Sequence, residues 1–69
     1  MVEVFRTTVK KTKEANFLIE QLKSYFPGSR FNFDLDDCDK VLRVEAESVA
    51  VDKVIGLLNE VGFSCAVLE

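Results

Sequence analysis

The chain opens on an alternation. Over residues 2–9, Phe5, Thr7 and Val9 fall on one side and Val4, Arg6 and Thr8 on the other, which is the two-residue period of a strand. Lys10, Lys11 and Lys13 break it and form a polar loop. Thr12 is the expected helix N-cap, and Glu14 sits in a first turn where the helix dipole favours a carboxylate. From Ala15 the period changes: Ala15, Leu18, Ile19, Leu22 and Phe26 recur at steps of three and four, one apolar stripe of a helix. Pro27 and Gly28 stop it, because the residue before proline avoids the helical region and glycine accepts a left-handed φ.

Alternation then returns. Phe31, Phe33 and Leu35 face one side, with Arg30, Asn32 and Asp34 opposite. Residues 36–40, Asp-Asp-Cys-Asp-Lys, read as a turn. Leu42, Val44 and Ala46 lie inward on the return strand, with Val41, Arg43 and Glu45 outward, so the pair is a hairpin. Val51, Val54, Ile55, Leu58 and Val61 mark a second amphipathic helix that ends at Gly62, and Phe63, Cys65 and Val67 share one face of a final strand. The order is βαββαβ. Helices with a single stripe must bury it, so both cover one face of a four-stranded antiparallel sheet. Right-handed crossovers give an α+β, ferredoxin-like two-layer sandwich with strand order 4-1-3-2.

Composition narrows what this frame does. Sixty-nine residues make one domain with one core. A net charge of −3 opposes nucleic-acid binding, which needs a clustered basic face. Aromatic residues for stacking bases are also missing from the expected open sheet face, whose residues are Val2, Val4, Arg6, Thr8, Val41, Arg43 and Glu45. No run of 18 apolar residues is present, so no membrane span is expected. The start of the chain shows no charged-then-apolar leader, and the expected location is the cytoplasm, with Cys38 and Cys65 as free thiols. The chain has no histidine. That removes the commonest general base and every His-based triad, so neither catalysis nor a cofactor is expected.

Three stretches carry a resemblance that spans essentially the whole chain. Phe5-Arg6-Thr7-Thr8-Val9-Lys10-Lys11 resembles the strand and loop that open the heavy-metal-associated domain. Residues 34–45 resemble the hairpin of its small bacterial copper-chaperone-like members, and residues 54–63 its last helix and Gly-aromatic turn. The family carries two cysteines at CxxC spacing in the first loop, the first of them two positions after a hydrophobic residue. With Val9 as that residue, the cysteine positions fall on Lys11 and Glu14. A protonated lysine has no lone pair to give, and one hard carboxylate does not hold a soft cation alone. The family's thiolate metal site therefore does not carry over. The resemblance implies a degenerate, metal-free member that acts as a protein-interaction module. Its expected docking surface comprises Lys10, Lys11, Lys13, Glu14 and Phe63, the end at which the family meets partner domains.

Other expectations attach to the cysteines, the acidic turn and the open face. Cys38 and Cys65 are expected at opposite sheet edges, roughly 14 Å apart at ordinary strand spacing and too far for a disulfide. Cys65 reads as a small buried hydrophobe and Cys38 as an exposed thiol. Asp34, Asp36, Asp37 and Asp39 form a weakly calcium-like turn, with Glu45 twelfth from Asp34, but position six lacks the needed glycine and the flanks are strands. The expected reading is a solvated tip. Metal binding through such carboxylates or Cys38 is the alternative function. Val2, Val4 and Val41 would leave a modest apolar patch on the open face, fit for a homodimer or another partner.

Overall fold

The computed structural model describes residues 1–69. The elements run β1 (Val2–Thr7), α1 (Thr12–Tyr25), β2 (Arg30–Asp34), β3 (Val41–Glu45), α2 (Val51–Val61) and β4 (Cys65–Val67). The antiparallel sheet is ordered β2-β3-β1-β4, the expected 4-1-3-2 read from the other edge. Helices on one face and open sheet on the other make the ferredoxin-like sandwich. No helix is long and apolar enough to cross a membrane.

Two-residue alternation and register together decide which side chains meet. Phe5 pairs with Leu42 on one side and Val67 on the other, and Phe33 and Phe31 pair with Leu42 and Val44. These residues turn toward the helices. Ala15, Leu18 and Leu22 of α1 and Val54 and Leu58 of α2 close over them, with Val9, into one buried cluster. Phe26 packs on its border, its ring centroid 6.4 Å from that of Phe31.

Helix ends depart from expectation at α1. The N-cap is Lys11, not Thr12. The Ala15 amide donates to the Lys11 carbonyl at 3.0 Å, closing the first turn one residue early. Glu14, now at the third helical position, reaches back so that its Oε1 accepts the Lys11 amide at 3.2 Å. That is the carboxylate half of a capping box; a lysine side chain cannot return the other half. Gly62 ends α2 at φ 107°, as its sequence position predicts. The α2 stripe is shifted from the expected one: Val61 is 40% exposed, while Leu57 packs against the core. Val61 is the last residue of the helix, next to its C-cap Gly62.

Candidate functional site

Three loops meet at the end of the sheet where β1 finishes, and hydrogen bonds from β1 hold them. The Thr7 amide donates to the Asp39 carbonyl at 3.0 Å, and the Thr7 hydroxyl donates to the Lys40 carbonyl at 2.6 Å. The Thr8 amide donates to the Ser64 carbonyl at 3.2 Å, and the Ser64 amide donates to the Thr8 hydroxyl at 2.9 Å. So the β1–α1 loop, the β2–β3 loop and the α2–β4 turn share one surface. Lys10, Lys11 and Lys13 are exposed on it; Glu14 is partly buried and occupied by the Lys11 amide; Phe63 is half-buried against the core.

The hairpin tip holds its shape through its own polar groups. The Asp39 amide donates to the Asp37 carboxylate at 2.9 Å, and the Lys40 amide to the Asp37 carbonyl at 3.0 Å. Lys40 takes a left-handed φ of 48°, and its ammonium donates to the Leu35 carbonyl at 2.8 Å. Sequence reasoning missed Lys40. Positive φ in a non-glycine residue is uncommon and carries no sequence signal when the residue is lysine. Asp36, Asp37 and Cys38 stay exposed. Asp34 closes β2 opposite Val41, whereas Glu45 lies at the far end of β3, opposite Arg30. Four strand steps, about 13 Å, separate that twelfth position from the tip. The donor atoms of Asp37, Cys38 and Asp39 do lie within 4.8 Å of one another.

β2 and β4 are the opposite edges of the sheet, as expected, yet their cysteine-bearing ends share a surface. Cys38 and Cys65 both line one depression of about 280 Å³, together with Arg6, Thr8, Asp39 and Ser64. Thr7 bonds the Asp39 and Lys40 carbonyls at the end of the hairpin loop, continuing the β1–β3 pairing beyond the strands. Both thiols are free. Cys65 pairs with Thr7 on the helix-facing side of the sheet, and burial pushes its thiol up from 9.0 to about 11. The protonated thiol is thus the form the fold prefers. Its contribution to stability is complete below pH 9 and is lost as pH rises from 9 toward about 11.

Those environments separate the thiols kinetically. At pH 8 a pKa near 11 leaves on the order of one thiolate in a thousand at Cys65. Titration with an aromatic disulfide reagent is expected to show a fast phase from exposed Cys38 and a slow one from Cys65. Cys38→Ser removes the fast phase alone, and the slow rate climbs about tenfold per pH unit from 8 to 10. Two thiols reacting in a single fast phase would contradict this placement.

The open face also differs from its expected pattern. Val2 is 51% exposed and Val4 partly buried, but Val41 is only 7% exposed. Arg43 and Asp34 line a depression with Val41, and an arginine stem covers apolar surface while its head stays in water. The valine patch is therefore broken by polar side chains. Set against known proteins, the chain matches no family model and no curated relative.

Proposed function

We propose that this chain is a non-catalytic, metal-free relative of the heavy-metal-associated domain, and that it works as a protein-interaction module. The observation that carries this reading is the end formed by the three loops. Thr7 and Thr8 fasten them together at the end of β1, and Lys10, Lys11 and Lys13 stand exposed on the first loop and the helix turn that follows it. A rigid charged surface speeds encounter and selects partners. The positions that would hold the family's cysteines serve a different purpose here: Lys11 and Glu14 cap a helix.

A second reading, metal binding through other ligands, has one observation in its favour, the convergence of Asp37, Cys38 and Asp39 donors. A single thiol with one exposed and one partly buried carboxylate is a weak soft-metal set, and one Asp37 oxygen already accepts an amide. One experiment addresses both readings. Immobilised protein is expected to retain a specific partner from its own cell extract, and a Lys10→Glu, Lys11→Glu, Lys13→Glu variant to lose it. Titration with Cu(I), Zn(II) and Ca(II) under reducing conditions forms the other arm. Recovery of no partner that the variant loses defeats the docking reading. Stoichiometric metal binding tighter than micromolar establishes the second.

A further inference from the structure

All three arginines of the chain stand on the open face of the sheet, and none of the six lysines is on a strand of that face. Register fixes their arrangement. Arg30 on β2 lies opposite Glu45, and Arg43 on β3 lies between Asn32 and Val4. Arg6 on β1 lies opposite Ala66, one same-face step beyond Val4. The three guanidinium stems therefore descend diagonally, one strand and two residues per step, at spacings of about 8 Å. All three are exposed. Each also borders a surface depression: Arg6 one of about 280 Å³, Arg43 one of about 320 Å³, and Arg30 with Arg43 one of about 470 Å³.

We propose that this diagonal is a docking surface for an extended acidic segment of a partner protein, with carboxylates on alternate residues. Arginine's planar fork takes a carboxylate through two parallel hydrogen bonds, which an ammonium cannot do. Alternate residues of an extended segment present their side chains on one face about 6.7 Å apart, within side-chain reach of the arginine spacing. Val2, Val4 and Ala66 lie beside the stripe and supply apolar contact between the charged points. Charge complementarity selects this occupant. The face and its depressions carry three arginines and Lys23 against Asp34, Asp39 and Glu45, a positive excess on a chain whose net charge is −3. A nucleic acid is disfavoured because no aromatic side chain stands on the face to stack a base. This surface meets the loop end only at Arg6, which borders the depression shared with Thr8 and Ser64; Arg30 and Arg43 lie toward the opposite end of the sheet.

The test uses a fluorescein-labelled ten-residue peptide of alternating Glu and Val, read by anisotropy against the full chain at low salt. Binding is expected, with amide shift changes confined to β1, β2 and β3. Arg6→Gln, Arg30→Gln, Arg43→Gln together should weaken it roughly tenfold, the sum of three exposed charge contacts. The same loss of three positive charges at the loop end, Lys10→Gln, Lys11→Gln, Lys13→Gln, should weaken it far less. No binding at millimolar peptide overturns the proposal. So do equal affinity for the arginine variant, shift changes confined to the loop end, and tighter binding of an oligo-thymidine of similar length. Sedimentation forms the last arm: a dimer that the arginine variant dissolves would make a second copy of this chain the occupant, and would equally overturn the acidic segment.

Discussion

Phe5→Ala is expected to remove about half or more of the chain's folding stability. Phe5 is fully buried and sits on the strand that pairs on both sides, with Leu42 and Val67 as its direct neighbours. Truncating a buried phenylalanine costs about 3–5 kcal/mol, part transfer free energy and part cavity. At roughly 0.05–0.15 kcal/mol per residue, a domain of this size has only about 3–10 kcal/mol to lose. Circular dichroism through a urea titration measures the loss. Phe17→Ala is the control, since Phe17 is 52% exposed on the outer face of α1, and its midpoint should barely move. A Phe5→Ala variant as stable as the parent would mean that the core is centred elsewhere.

That core was legible in the sequence because periodicity encodes burial directly. Phe5, Leu42 and Val44 follow a period of two, and Ala15, Leu18 and Leu22 steps of three and four. Once the faces are known, short connections and right-handed crossovers leave little choice of strand order. Exposure of Phe17 and Tyr25 also follows from their places off the stripe. The site was legible only as an address. Topology puts three loops at one end, but whether they touch depends on a few long-range bonds that leave no periodic trace. Thr7 reads as an ordinary inward strand residue, yet its hydroxyl ties down the Lys40 carbonyl of the hairpin loop. The alternation also leaves the turn residues unplaced: Cys38 and Cys65 border one depression although β2 and β4 are opposite edges. Val41 failed for a related reason. Alternation assigns a face but not what long neighbours such as Arg43 lay across it. The arginine diagonal was hidden because it appears only once register aligns residues from three separate strands.

Thr7→Val is the substitution that tests whether one hydroxyl organises the loop end. Thr7 is 8% exposed and uses its oxygen twice, donating to the Lys40 carbonyl at 2.6 Å and accepting the buried Val9 amide at 3.2 Å. Valine matches its shape and strand propensity, so packing is preserved while both partners lose their bond. Leaving a buried donor and an acceptor unmet costs about 1–3 kcal/mol each where water cannot enter. The Lys40 carbonyl is only part-buried, so the total is expected near 2–3 kcal/mol. Thr7→Ser keeps the oxygen and should recover most of that loss, which separates the bond from the methyl. The structural readout is amide exchange. In the valine variant the Val9 amide loses protection, and the Lys40 amide follows as the hairpin loop loosens, while the amides of Leu18 and Leu58 change only by the global loss. Cys65, directly across from Thr7, should then react faster with the thiol reagent, because a loosened loop admits water to the depression it lines. If the valine variant kept the parent's stability and slow thiol phase, the loops would be held by their backbone bonds alone, and the Thr7 hydroxyl would be incidental to the surface they form.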